Sequence, residues 1–353
     1  MKMIHCADIH LGSKIEAKFP REKSEERRRE LRASFSRMVD YASENGVKII
    51  LLSGDVFESD RPLKKDKEFF YSVIRRNPDI DFIYLRGNHD VMESYTEYGL
   101  DNLKTFSKEW RSYQYENTVV SGIELCAENA RSFYSSLSLD KSKINVVMLH
   151  GQISDSEANG KIKLAKLKNK NIDYLALGHI HSFTSGTLDE RGCYVYSGCL
   201  EGRGFDEIGE KGFVEIDVGQ DVTYKFIANS YRVLDEITVD ISDTQDVYSA
   251  CNKVRGLIKS KRDDIVRVNL TGEVSYDCDG IEKELEKQLE HSYYFVNVKS
   301  KVLQKYNLEE ISGDISLRGE FLRTVLACND YTDDEKQSII SLGLRALDGR
   351  EVD

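Results

Sequence analysis

The sequence predicts an α/β protein with three parts: a layered α/β domain over residues 1–231, a small α+β module over 232–303 and a helical tail over 304–353. Three observations carry this reading. Through the first half, short β-branched runs alternate with longer amphipathic stretches, the pattern of helices layered on a sheet. Near Arg232 the texture changes to strand, helix, strand, helix, strand within about 70 residues, which is the size of a small α+β module. Beyond that only two amphipathic helical segments remain.

In chain order, the strands of the first domain are expected at Lys2 to Ala7, Val47 to Leu52, Ile80 to Leu85, Ile144 to Leu149 and Asp173 to Leu177. Between the first two, Leu31, Phe35, Met38, Val39 and Ala42 recur at helical spacing within Glu22 to Asn45, and Gly46 is placed to stop that helix. Its polar face is expected to carry Arg27, Arg28 and Arg29. From about Val195 to Phe226, short strands broken by Gly-rich turns complete a second sheet. The module has strands at Ile237 to Ile241, Ile265 to Leu270 and Tyr294 to Val298, with helices at Gln245 to Lys259 and Ile281 to Glu290. The tail helices are Leu317 to Ala327 and Asp333 to Leu347, the second opened by Thr332 and Glu335 at capping-box spacing.

Composition narrows the function classes. The 353 residues carry 50 Lys and Arg against 61 Asp and Glu, a net charge of −11, and only 40% are hydrophobic. A membrane protein and a uniformly basic DNA-coating protein are both excluded on these grounds. Seven Cys, none in a Cys-x-x-Cys pair, fit neither a disulfide framework nor a zinc ribbon. The opening MKMIHCADIH lacks the apolar run of a signal peptide, so the expected location is the reducing cytoplasm.

The chemistry gathers at strand ends. Asp8 and His10 follow the first strand directly as Asp-x-His. The second strand runs into Gly54-Asp55, the third into Gly87-Asn88-His89-Asp90, the fourth into His150-Gly151 and the fifth into Gly178-His179-Ile180-His181. Carboxyl ends of strands are where open α/β sheets collect ligands, so all five groups can converge on one crevice. Five of the seven His lie in these groups. Asp, His and Asn without Cys suit Mn²⁺, Fe²⁺ or Zn²⁺, and the donors are too many for one ion. Two ions roughly 3.5–4 Å apart can activate a water between them and neutralise a phosphate during in-line displacement. The expected reaction is phosphoester hydrolysis.

Taken together, Asp8-x-His10, Gly54-Asp55, Gly87-Asn88-His89-Asp90, His150 and Gly178-x-x-His181 resemble the five ordered motifs of the calcineurin-like metallophosphoesterases. Within that superfamily, IHCADIHLG and LALGHIH resemble the SbcD-type DNA repair exonucleases, and GRGFDEIGEKGF with GDISLRGEF is similar to the bacterial YhaO-like branch. The resemblance implies a four-layer α/β/β/α sandwich, a capping module and a partner-docking tail. It makes Asp8, His10 and His181 ligands of one metal, Asn88, His150 and His179 ligands of the other, and Asp55 the bridge. His89 becomes the general acid at the leaving 3′ oxygen, a task suited to imidazole, and Asp90 positions its loop. Glu58 departs from relatives that carry His or Asp there, and its carboxylate is expected to face His89. The implied cofactors are two divalent ions, Mn²⁺ first, with Fe²⁺, Zn²⁺ or Mg²⁺ as alternatives. The implied partners are DNA, a coiled-coil ATPase of the SbcC or YhaN kind, and a second copy of the chain in a homodimer. The implied activity is 3′ to 5′ exonuclease and single-strand endonuclease action in DNA repair.

Other residues read more plainly. His5 lies inside the first strand and is expected to be packed, and His291 has no partner motif. Lys161, Lys163, Lys166, Lys168 and Lys170 flank apolar residues as in an amphipathic helix with a solvated face. Arg203 and Arg21, with Arg27 to Arg29, are the candidates for DNA backbone contacts, because an acidic protein must hold DNA through local basic patches. No Gly-x-x-x-x-Gly-Lys-Ser/Thr loop occurs. Two rival readings stand beside the nuclease: a calcineurin-like phosphatase or cyclic nucleotide phosphodiesterase using the same metals, and a scaffold that has lost catalysis. The added module argues against the first, and the complete donor set against the second.

Overall fold

The computed structural model describes residues 1–15, 19–59, 61–90, 99–156, 158–305 and 308–347. The chain forms two compact units, Met1–Leu234 and Asp235–Asp353.

The first unit is built on two six-stranded sheets. In chain order its elements are β1 Lys2–Cys6, α1 Arg21–Glu44, β2 Ile49–Ser53, α2 Lys64–Arg76, β3 Asp81–Leu85, β4 Leu103–Thr105, β5 Arg111–Tyr115, β6 Thr118–Gly122, α3 Phe133–Ser136, β7 Ile144–His150, β8 Gln152–Ile153, β9 Lys161–Ile162, β10 Tyr174–Gly178, β11 Thr184–Thr187, β12 Cys193–Tyr196, β13 Gly212–Val218 and β14 Val222–Ala228. One sheet has the order β14-β13-β1-β2-β3-β4 and the other β11-β12-β10-β7-β6-β5. The central strands are parallel, β1 to β2 to β3 in the first and β6 to β7 to β10 to β12 in the second. All of the five expected site loops therefore leave the same end of their sheets.

Why these strands read as unbroken apolar runs follows from what covers them. Alternate residues Met3, Ile49, Leu51 and Ile83 meet Val146, Met148, Tyr174 and Ala176 between the two sheets. The opposite residues Ile4, Cys6, Ile50 and Leu52 pack under Phe35, Met38 and Val39 of α1 and Phe70 and Ile74 of α2. On the far side, Val147, Leu149, Leu175 and Leu177 pack with Phe133, Ile162 and Leu167. Both faces of the central strands are buried, as in other covered parallel sheets, and the layers run α/β/β/α. The fourth layer is thin. The helix expected over Lys161 to Lys170 is replaced by β9 and a 3-10 turn at Leu164–Lys166, because Asn169 and Asn171 take φ of 60° and 63°, which an α-helix excludes. Ile162 and Leu167 are still fully buried.

Arg27 also departs from expectation. It is buried, and its guanidinium donates to Glu30, to Glu201 at 2.9 Å and to the Gly202 carbonyl at 2.7 Å. It therefore ties α1 to the segment after β12 and does not point to solvent.

The second unit places α4 Val247–Leu257 and α5 Ile281–Leu289 against a three-stranded sheet of β15 Leu234–Asp240, β16 Ile265–Thr271 and β18 Phe295–Ser300. A capping box of Asp246 and Ser249 opens α4. A ribbon of β17 Glu273–Val274 and β19 Leu303–Gln304 leads to α6 Leu308–Gly313, α7 Leu317–Ala327 and α8 Asp333–Leu347. The apolar stripes of the last two helices are largely mated: Leu322 and Val325 bury against Ile340 and Leu344, with Phe321 and Ile339 alongside. Thr332 and Glu335 form the expected capping box. Leu317 stays 70% exposed. No helix among the described residues is long and apolar enough to cross a membrane.

Candidate metal centre

The site begins with a zipper between two loops. Beyond β1 and β2 the chains keep exchanging main-chain bonds, Asp8 N–H to Gly54 O at 3.0 Å, His10 N–H to Asp55 O at 3.0 Å and Leu11 N–H to Val56 O at 2.8 Å. This brings Asp8 and His10 beside Asp55 at a cost in backbone strain. Asp8, His10 and Asp55 take φ of 51°, 52° and 51°, and His179 takes 100°. Left-handed conformation is rare for such residues and concentrates at functional sites.

Asp90 locks the third loop onto the second. Its carboxylate accepts from Phe57 N–H at 2.9 Å and from Gly87 N–H at 2.9 Å. Gly87 is required for clearance, since a Cβ there would fall within the Asp55 carboxylate. Gly54 combines a φ of +96° with the same problem against the His150 ring.

Two donor clusters result. Asp8, His10 and His181 form one, and Asp55, His150 and His179 the other, with donor atoms in each within 4.8 Å of one another. His10 Nε2 and His181 Nε2 face each other at 3.3 Å. His150 Nε2 lies 3.3 Å from Asp55 Oδ2 and 3.1 Å from Asn88 Oδ1, so Asn88 joins the second cluster. Donor separations of this size are those of atoms sharing one ion with bonds of about 2.0–2.2 Å. Backbone amides hold the carboxylates from behind: His179 N–H donates to Asp8 at 3.0 Å and His89 N–H to Asp55 Oδ1 at 2.9 Å.

Electrostatics agree with a cation site. Burial drives the Asp8 carboxyl above its usual range, and the nearby Asp55 charge adds to that. For Asp55, burial acts upward but is outweighed by the hydrogen bond and charge of His150, so its carboxylate stays ionised. His150 is opposed by burial yet held up to about 9 by Asp55. A buried carboxyl forced toward neutrality, among imidazoles whose nitrogens face each other, is a donor set short of positive charge. The residues fit two divalent cations.

His89 stands beside the first cluster, its ring centroid 5.2 Å from that of His10. Its Nδ1 meets the main-chain carbonyl of Glu58 at 2.8 Å. The expected contact with the Glu58 carboxylate is not formed: that carboxylate lies 2.9 Å from His10 Nδ1 and accepts from Arg203 at 2.9 Å. Arg203 is accordingly folded inward, its side chain only 13% exposed. Arg21 is exposed at the start of α1 and pairs only with Glu25 among the described contacts. His5 is fully buried and bonded to the Tyr174 hydroxyl at 3.0 Å. His291 is exposed beside Glu290.

Three supports were not legible in the sequence. The Ser53 carbonyl accepts from His150 Nδ1 at 2.9 Å. Tyr196 donates to Gly151 O at 2.8 Å and accepts from Ile153 N–H at 2.9 Å, fixing the turn after His150. Glu207, buried, accepts from His181 Nδ1 at 2.6 Å. It lies within GRGFDEIGEKGF, four residues after Arg203, and that spacing was the only available signal.

Two strand-end donor clusters on a four-layer sandwich define a metal-dependent phosphoesterase. Comparison with known proteins places it further. The calcineurin-like phosphoesterase family matches residues 1–183, and the chain belongs to that family. It is similar to the DNA double-strand break repair protein Mre11 of Sulfolobus acidocaldarius, 24% identical over 97% of this chain and 94% of that one. It is also similar to the uncharacterised metallophosphoesterase YhaO of Bacillus subtilis, 28% identical over 70% of this chain and 65% of that one. Among solved structures, a dimetal phosphatase from Danio rerio aligns with a TM-score of 0.43 at 11% identity, covering 65% of this chain and 99% of that one.

Proposed function

We propose that this protein is a two-metal DNA nuclease of the Mre11, SbcD and YhaO kind, hydrolysing phosphodiesters 3′ to 5′ at DNA ends in repair. The observation that carries the reading is the pair of donor clusters with His89 fixed beside them. Asp8, His10 and His181 would hold one divalent ion and Asn88, His150 and His179 the other, with Asp55 reaching both. When bound, the ions, Mn²⁺ first and Fe²⁺, Zn²⁺ or Mg²⁺ as alternatives, supply Lewis-acid charge at the phosphate and a water of lowered pKa.

The chain's own residues do the rest. With Nδ1 committed to the Glu58 carbonyl, His89 presents Nε2 as the atom that carries a proton to the leaving 3′ oxygen. Asp90 keeps that ring in place by clamping the Gly87 and Phe57 amides. Glu58 acts on His89 through its main chain. Arg21 is retained as an exposed cation for the DNA backbone. Outside the site, Ile315 at 98% exposure just before α7 and Leu317 at 70% at its first position form an apolar edge to set against a coiled-coil ATPase of the SbcC or YhaN kind. The setting is the cytoplasm.

The test is Mn²⁺-dependent release of nucleotides from linear duplex DNA, run beside p-nitrophenyl phosphate and a cyclic dinucleotide. Nucleotide release from DNA labelled at the 3′ end supports the reading. Turnover of only the small esters would replace it with a phosphatase.

A further inference from the structure

The two clusters are backed by different chemistry. In the second, His150 Nδ1 is held by a neutral acceptor, the Ser53 carbonyl. In the first, His181 Nδ1 is hydrogen-bonded to the Glu207 carboxylate at 2.6 Å, and the Glu58 carboxylate lies 2.9 Å from His10 Nδ1 without the alignment of a hydrogen bond. One guanidinium joins those carboxylates, since Arg203 donates to Glu58 Oε2 at 2.9 Å and to Glu207 Oε1 at 2.6 Å. The Arg203 amide N–H donates to Glu207 as well, at 2.7 Å. Ser13 Oγ lies 3.4 Å from the same guanidinium.

We infer that Arg203, Glu58 and Glu207 form a clamp that positions His10 and His181 and makes the Asp8, His10 and His181 site the tighter of the two metal sites, so that the ions load in order. The inference rests on the two-metal reading above. A carboxylate behind a ligating imidazole fixes the ring and raises its basicity, and losing one costs 10–100-fold in metal affinity. Arg203 prevents the two anions from repelling each other and from swinging to solvent, which is why it is turned inward and not toward a phosphate chain.

The experiment counts free Mn²⁺ by its electron paramagnetic resonance signal while the full-length protein is titrated. Wild type is expected to take up two equivalents in two separated steps. In a His179→Ala background, which isolates the first site, Glu207→Gln should weaken the remaining step 10–100-fold. In a His10→Ala background, which isolates the second, the same change should leave affinity within about threefold, below the cost of a lost carboxylate partner. Arg203→Lys keeps the charge but cannot span both carboxylates, and should weaken the first site alone. It serves as the second variant should Glu207→Gln lower the melting temperature. Equal weakening of both sites, or no change at the first, overturns the clamp. Uptake of fewer than two equivalents by wild type overturns the two-metal reading and the order of loading with it.

Discussion

His5 gives the sharpest test of how the two sheets are joined. It points from β1 into the space between the sheets, is 0% exposed, and bonds to Tyr174 of β10 at 3.0 Å. Burial lowers its pKa from 6.5 to about 3, with a main-chain hydrogen bond opposing only in part. The unfolded chain therefore binds a proton at this ring below about pH 6.5, and the folded chain does not until about pH 3. Stability must fall as pH drops through that window. At pH 5.0 the gap is one and a half units below the unfolded value, at roughly 1.4 kcal/mol per unit, so about 2 kcal/mol is lost relative to pH 7.5. His150 works in the opposite sense in metal-free protein. Burial opposes its charge, yet Asp55 holds its folded value up to about 9, so its contribution is full below 6.5 and is lost as pH rises through about 9. The comparison is metal-free wild type against His5→Gln, which keeps a partner for Tyr174 but does not titrate. The His150 contribution is common to both and cancels. Urea unfolding followed by Trp110 reports the first unit specifically, because this is the single Trp and it is anchored to the Phe133 carbonyl at 2.9 Å. Between pH 7.5 and 5.0 wild type should lose about 2 kcal/mol more than the variant. Parallel pH profiles would refute the account.

Three further outcomes follow from the site. Asp55→Asn should abolish tight uptake of both ions, measured by metal content after gel filtration; two equivalents at wild-type affinity would remove Asp55 from the centre. His89→Ala should keep its metal and lower turnover on DNA by roughly 10²- to 10⁴-fold, whereas loss of an ion would make His89 a ligand. Truncation after residue 310 cuts α6, removes α7 and α8, and should leave hydrolysis of short single-stranded DNA and the Trp110 unfolding transition unchanged, while pull-down of the ATPase partner fails; equal recovery by both forms would refute docking through the tail.

The donors were legible because strand ends mark themselves: a β-branched run followed by Gly and a His or Asp is visible without coordinates, and five such events gave every member of both clusters. Apart from Asp90, what holds the donors was not. Ser53 acts through a carbonyl, which no side chain announces. Gly87 reads as a flexible turn residue but matters for the space it leaves around Asp55. Arg27 and Arg203 read as surface cations because charge in a sequence carries no direction. Both turn inward where carboxylates distant in sequence wait, Glu201 for Arg27 and Glu58 for Arg203. The Lys161 to Lys170 helix failed for a local reason, since Asn169 and Asn171 offered the left-handed turn that alternating Lys and apolar residues concealed.

The same contrast explains how the fold sustains its strained centre. Four non-glycine residues at the site hold positive φ, each costing of order 1–3 kcal/mol. The main-chain bonds between the loops and the Asp90 clamp offset part of this locally. The remaining compensation lies one layer down, where β1, β2, β3, β7 and β10 are buried on both faces and their register is fixed by alternation. A one-residue slip of β1 against β2 would exchange Met3 and His5 for Ile4 and Cys6 and turn the polar His5 ring under the helices, away from Tyr174. The register that buries His5 on its hydroxyl is also the one that sets Asp8 beside Gly54 and His10 beside Asp55. The core thus specifies the metal centre geometrically, and the centre can carry strain because the strands beneath it have one way to pair.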